Sequence, residues 1–296
     1  MYESPTQWLP KPTPPPLPGT NNGGTMQVTS LSATKIEQYT NCPYAYKLKY
    51  IDKAKDKIFR SAGMLTGNTA HKSIEDINKW VVANSGSMEE EELKKALWIK
   101  ARKIAADRFT SMMSSSKNAN YTDFMRKAIT PYLTWFIRNS IYKYPLEIEK
   151  KYNVTIGELA DVMGTGGLHV NWEKYKDVVL TGKPDLVINN TTIVDYKVQK
   201  IASFGKSFVS NPQVMLYSMV RGGDLEFVYL FLQDRCIEKH VAISAESRVD
   251  KFNKVIGILD NISNTEVFHA NTRSCKNCIF KQVCTKVNTK AEVRWK

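Results

Sequence analysis

Nowhere in the 296 residues does an apolar run approach the roughly 20 that cross a bilayer. The amino terminus lacks the basic start and apolar middle of a signal peptide, and it lacks the arginines of a transit peptide. The expectation is an intracellular protein, cytoplasmic in a prokaryote or a virus-infected cell, with no membrane contact. No Walker pattern is present either: Gly205-Lys206-Ser207 has Lys200 where the first glycine of a phosphate loop would stand. That excludes an ATP-driven motor. Acidic residues are scarce, 29 against 42 Lys and Arg, for a net charge of +13. Residues 1–28 hold only Glu3 and Lys11, so the excess belongs to the rest of the chain. A basic surface of this kind suits a polyanion, above all nucleic acid.

What is present is an ordinary globular composition, 42% hydrophobic and 10% aromatic, enough for a real core. Residues 1–28 are rich in Pro, Gly, Asn and Thr and read as a disordered tail. Residues 29–286 read as one domain, with a helical insertion at about 85–145, and 287–296 as a basic tail.

The stretch Leu180–Lys200 carries the chemistry. Two short apolar runs flank Asn189-Asn190, the pattern of a β-hairpin. Each arm bears one acid, Asp185 and Asp195. Strand alternation puts Lys197 on the face of Asp195, with Tyr196 on the other. A two-residue loop would pair Ile188 with Thr191 and leave the aspartates on opposite faces. A three-residue loop over 189–191 pairs Ile188 with Thr192 and sets Asp185 opposite Asp195. We expect the second register, because only it brings the carboxylates together. Adjacent carboxylates need a shared proton or a cation between them, and oxygen ligands suit Mg²⁺ or Mn²⁺. With a lysine beside them they form a kit for metal-assisted phosphodiester hydrolysis. The plainer reading is a solvated surface hairpin, since D-x-K is a common string.

Around the hairpin the chain reads as helices and strands. Ser30 or Ser32 caps a first helix, interrupted at Cys42-Pro43 and followed by Tyr46 and Tyr50. A second helix spans 64–84, capped by Thr66 or Asn68, with Ala70, Ile74, Ile77 and Val81 as its apolar stripe. His71 and Glu75 lie one turn apart beside that stripe. Helices are expected over 89–108 and 121–144. The first of these carries Lys94, Lys95, Lys100, Arg102, Lys103 and Arg108 around Trp98, either a single-strand path or a solvated face. Strands are expected over 146–156, 169–172, 225–233 and 237–244. Asn211-Pro212 starts a helix with Gln213 and Tyr217 four apart, and 248–262 is amphipathic.

Four of the five cysteines form a second pattern. Cys275, Cys278 and Cys284 follow C-x-x-C-x-x-x-x-x-C spacing, one thiolate short of a closed site. Cys42 supplies the fourth if the ends of the domain meet; taken alone it reads as a buried thiol. Four thiolates suit Zn²⁺ or a [4Fe-4S] cluster, and spacing does not choose between them. Cys236 reads as an odd structural thiol.

Gly182-Lys183-Pro184-Asp185 followed by Asp195-Tyr196-Lys197 resembles the core of the PD-(D/E)XK nuclease superfamily. Leu31-Ser32…Tyr39…Cys42-Pro43…Tyr46…Tyr50, Gly67…His71, Gln213-x-x-x-Tyr217 and the carboxy-terminal cysteines resemble its RecB/AddB-like branch, in the family's order. The resemblance runs from Leu31 to Cys284. It implies an α/β fold, a mixed central sheet flanked by helices, restriction-endonuclease-like. It implies that Asp185, Asp195 and His71 bind Mg²⁺ or Mn²⁺, that Lys197 acts on the attacking water or the phosphate, and that Gln213 and Tyr217 position Lys197 or DNA. Glu75 is a lesser candidate. It further implies that Cys42, Cys275, Cys278 and Cys284 hold a [4Fe-4S] cluster, with Zn²⁺ as the alternative. The activity implied is exonuclease action on DNA ends or single strands in recombination, repair or replication, with a helicase or recombinase as partner. The alternatives are a CRISPR spacer-acquisition nuclease and a non-catalytic, zinc-stapled DNA-end-binding module. The segment between His71 and the first core strand is longer than in compact CRISPR-associated members, which favours a stand-alone exonuclease.

Overall fold

The computed structural model describes residues 27–54, 62–113, 119–164, 166–168, 171–203, 208, 211–244, 247–281 and 284. The proline-rich tail expected over 1–28 lies outside them except for its last two residues, and the basic tail lies wholly outside.

The chain enters through β1 (Ser30–Ser32) and turns into α1 (Ala33–Asn41). Ser32 Oγ accepts the Lys35 amide and so caps the helix. Cys42 ends α1, and Pro43 opens α2 (Pro43–Tyr46), where a missing N–H costs nothing. A π turn, Lys47–Ile51, follows. The long α3 (Ala62–Asn84) buries the expected stripe of Ala70, Ile74, Ile77 and Val81. It begins before either cap expected for it. Thr66 and Asn68 lie inside the helix, and the Thr66 hydroxyl bonds back to the Ala62 carbonyl instead.

The helical stretch that follows comprises α4 (Glu90–Met113), α5 (Tyr121–Phe124), a π turn (Met125–Ile129) and α6 (Thr130–Arg138). The wide turn falls just ahead of Pro131, which has no N–H to give and whose ring crowds the preceding turn. The helix expected to reach residue 144 stops at Arg138. Ser140 takes a left-handed φ of 51° and a 3₁₀ turn, Ile141–Lys143, completes the stretch.

The strand expected over 146–156 is two strands, β2 (Leu146–Ile148) and β3 (Tyr152–Thr155). An unforeseen helix, α7 (Ile156–Met163), begins at a reciprocal cap between Thr155 and Glu158. The strand expected at 169–172 is also corrected. Residues 169 and 170 lie outside the described residues, and Trp172 leads into a 3₁₀ turn, Glu173–Tyr175. Then come β4 (Val179–Gly182), β5 (Leu186–Ile188), β6 (Thr192–Lys197), α8 (Pro212–Arg221), β7 (Leu225–Phe231), β8 (Ile237–Ile243) and α9 (Ser247–Ser263).

Two sheets result among the described residues. The larger has the order β2-β5-β6-β7-β8 and the smaller β1-β4-β3. In the larger sheet only β6 and β7 run parallel, joined through α8. Its two faces feed separate cores. Ile193, Phe227, Tyr229 and Phe231 pack with α8, α9 and the small sheet. Val194, Tyr196, Val228 and Leu230 pack with α3, α4 and α6. A strand covered on both faces must be apolar throughout, and β7 buries every residue but Glu226. No described helix is long and apolar enough to cross a membrane.

Candidate active site

The hairpin register is the one expected. Leu186 pairs with Val194 and Ile188 with Thr192, so the loop is 189–191. Asn189 and Asn190 both take positive φ, 48° and 62°, which asparagine tolerates better than most residues. One step beyond the paired residues, the same register faces Asp185 towards Asp195. Asp185 Oδ2 accepts the Tyr196 amide at 2.8 Å across the pair.

Gly182 explains how Asp185 is aimed. A Cβ at that position would meet Val220 Cγ2 at 2.6 Å and the Tyr217 ring at 3.0 Å. Without one, the end of β4 lies directly on α8. Tyr217 then donates its hydroxyl to the Lys183 carbonyl at 3.1 Å. Tyr217 therefore anchors the turn leading to Asp185, and it also interacts with the side chain of Gln213, which holds Lys197.

His71 arrives from α3. Its Nδ1 lies 3.0 Å from Asp185 Oδ1. Burial disfavours the charged ring, but the Asp185 carboxylate outweighs it and raises the His71 pKa to about 9. Burial pulls the Asp185 carboxyl upward, yet His71 and the Tyr196 amide hold it below the ordinary value. Asp195 goes the other way. Burial raises its carboxyl, helped by the Asp185 charge and against the pull of Lys197. Two carboxylates on one face thus have environments that push them apart, a pattern of functional sites.

Asp195, Lys197 and Gln213 form one linked group. The Lys197 ammonium lies 2.5 Å from Asp195 Oδ2 and donates to Gln213 Oε1 at 2.8 Å. Gln213 Nε2 donates to Asp195 Oδ1 at 2.6 Å. Asn211 caps α8 and Pro212 fixes its first turn, which delivers Gln213 to this place. Lys197 also stands over the Tyr229 ring, 5.6 Å from its centroid.

The sequence reading missed Glu149. One ligand atom each from His71, Glu149 and Asp185 lies within 4.8 Å of the others, the one such set of three among the described residues. Asp195 completes no such set with any two of them. Glu149 follows β2 with a left-handed φ of 50°, and its amide donates to the Asp185 carbonyl at 3.2 Å. Its carboxylate makes a close ion pair with the Lys183 ammonium. Burial raises the Glu149 carboxyl above its usual range. Glu149 lies just past the end of β2 and far ahead of the hairpin in the chain, so no strand alternation marked it. Glu75, one turn from His71, is bound instead by Lys72 at 2.8 Å and Lys79 at 2.5 Å.

Of the cysteines, Cys42, Cys275, Cys278 and Cys284 line one small pocket. All five are free thiols. No three of the described sulfurs lie within 4.8 Å of one another. The Asn271 amide points at Cys42 Sγ, 3.4 Å away. Cys236 lies elsewhere, in the core against α3, α4 and α6, and burial pushes its thiol up to about 12.

A sequence model of the PD-(D/E)XK nuclease superfamily matches residues 30–285. The chain belongs to that superfamily. This PD-(D/E)XK protein also shares its fold with a candidate exonuclease from Eubacterium rectale. The TM-score is 0.51 at 14% identity, covering 90% of this chain and 94% of that one. The solved structure of SSO0001 aligns with a TM-score of 0.38 at 13% identity, over 89% of this chain and 90% of that one. No protein of curated function matches in sequence. Members of this superfamily are metal-dependent nucleases, and the PD-(D/E)XK chain described here has the corresponding α/β core of mixed sheets flanked by helices.

Proposed function

We propose that this nuclease is a Mg²⁺- or Mn²⁺-dependent DNA exonuclease of the RecB/AddB-like branch, working at DNA ends or on single strands in recombination, repair or replication. The observation that carries the reading is the pair of neighbouring groups gathered where β6 ends and β5 begins. One is the set His71, Glu149 and Asp185, and the other is the linked trio Asp195, Lys197 and Gln213.

The donor set fits a hard divalent cation. It offers carboxylate oxygens and one imidazole, the ligand types that Mn²⁺ accepts and that suit Mg²⁺ in their oxygen part. The close Lys183–Glu149 pair supports this, since it already places a cation against these acids. His71, Asp185 and Glu149 would hold the metal, with Asp195 at its border. A divalent cation there polarises a phosphoryl oxygen and acidifies a bound water. Lys197 adds a fixed positive charge where a phosphate gains negative charge, and it cannot drift because Asp195 and Gln213 grip its ammonium. The buried, upward-shifted Asp195 carboxyl is suited to accept a proton from an attacking water.

Cys42, Cys275, Cys278 and Cys284 meet around one pocket, and that meeting supports reading them as the ligands of one metal centre, a [4Fe-4S] cluster or Zn²⁺. The cluster would clip residue 42 to residues 275–284. It colours the purified protein brown, whereas zinc leaves it colourless.

The activity test uses end-labelled linear, circular and single-stranded DNA with Mg²⁺ or Mn²⁺. Nucleotides should be released from linear ends and not from closed circles, and Lys197→Ala should stop release while a gel shift still shows DNA bound. Full cleavage by the Lys197→Ala protein would sink this site.

A further inference from the structure

Tyr196 stands between the acid and the lysine of β6 but faces away from both. Its hydroxyl accepts a hydrogen bond from Asn78 Nδ2 at 3.3 Å. Asn78 Oδ1 in turn accepts from the Tyr132 hydroxyl at 2.5 Å. The Tyr132 and Tyr196 rings meet edge to face at 5.3 Å. All three side chains are buried, among the apolar residues that α3, α4, α6 and the sheet bring together.

A polar trio in that place needs a reason. Leucine at position 78 would pack without any buried amide, and each polar atom here is costly unless bonded. What hydrogen bonds add is a fixed distance and rotation, where apolar packing tolerates sliding. The trio joins three elements: α3 through Asn78, α6 through Tyr132 and β6 through Tyr196. Asn78 lies seven residues from His71, two turns along the same side of α3, about 10 Å along the axis. Tyr196 touches the site twice more. Its amide donates to Asp185 Oδ2 at 2.8 Å, and its ring lies 5.9 Å from the His71 ring.

We propose that Asn78, Tyr132 and Tyr196 are positioning residues for the metal site, setting how α3 lies on the sheet and so where His71 stands relative to Asp185. The proposal rests on the reading of His71, Glu149 and Asp185 as metal ligands. None of the three positioning residues touches metal or DNA in this scheme. They act through His71 and Asp185.

The test reads Mn²⁺ affinity, by the electron paramagnetic resonance of free Mn²⁺ during titration, beside the melting temperature of the metal-free protein. The variants are Tyr196→Phe, Asn78→Leu and the triple N78L/Y132F/Y196F, which strands no polar atom. Tyr196→Phe and Asn78→Leu should each weaken Mn²⁺ binding tenfold or more. The triple variant should melt near the wild type and still bind Mn²⁺ at least tenfold more weakly. Tyr142→Phe, which removes a hydroxyl bonded to Glu90 and not to any residue of this network, should leave Mn²⁺ binding within twofold. Mn²⁺ affinity within twofold of wild type in Tyr196→Phe overturns the proposal, as does a loss that merely follows melting temperature or is matched by Tyr142→Phe. If the triple variant does not fold, Tyr196→Phe decides, since it deletes a single oxygen. Wild type that binds Mn²⁺ but cleaves no DNA sinks the nuclease reading and leaves this network standing. Wild type that binds no Mn²⁺ sinks both.

Discussion

Gly182 is the residue on which the aim of the site turns. A methyl group there meets the branched end of Val220 and the Tyr217 ring, neither of which is a loose surface tip. Gly182→Ala should destabilise the domain by about 1–3 kcal/mol, the usual cost of overpacking a tight contact. Because Tyr217 also holds the Lys183 carbonyl, the strain falls on the turn that presents Asp185. Urea unfolding measures the first effect, and the Mn²⁺ concentration giving half-maximal cleavage, which should rise, measures the second. Melting and metal dependence both unchanged would mean that β4 can retreat from α8 without cost.

At the level of elements, the parts with a strong local signal were legible. The hairpin register followed from one demand, that two acids share a face, and β6 and β5 meet it through the loop 189–191. The α8 start was legible because Asn211 and Pro212 each have a single good place in a helix terminus. Glu149 was not, because its side chain is aimed by a left-handed backbone after β2, which no periodic pattern announces. The helix α7 begins on the last residue of an expected strand, Ile156, and runs on through a stretch given no element, and it is the Thr155–Glu158 cap that starts it. Tyr217 matched a motif, and the structure adds what its hydroxyl does, which is to hold the Lys183 carbonyl in the turn before Asp185. The short carboxy-terminal 3₁₀ segment, Thr272–Asn277, lies beside α1 and α2, with Ser274 Oγ donating to the Asn41 carbonyl at 3.0 Å. If that closure needs a cluster, Cys278→Ser should give colourless protein that melts well below the wild type. Brown Cys278→Ser protein with unchanged melting would remove the cysteine from the ligand set.

The molecule as a whole carries +13, and a phosphate backbone is the partner that such a charge favours. DNA binding, measured by fluorescence anisotropy with Ca²⁺ in place of Mg²⁺, should weaken by tenfold or more between about 50 and 200 mM salt. A flat salt response would mean that the basic residues face away from the nucleic acid. Strand β6 imposes a further condition on the whole design. Odd positions 193, 195 and 197 address the chemistry and the α8 side, while 194 and 196 address the opposite core. Such a strand has a reading frame. Substitutions can be tried one at a time, but inserting or deleting a single residue would exchange its two faces, sending a lysine and an aspartate into the oily interior and a tyrosine to the substrate. Divergence along this segment is therefore confined to spelling changes at fixed length, and the loops on either side must absorb every change in chain length that descendants of this gene accumulate.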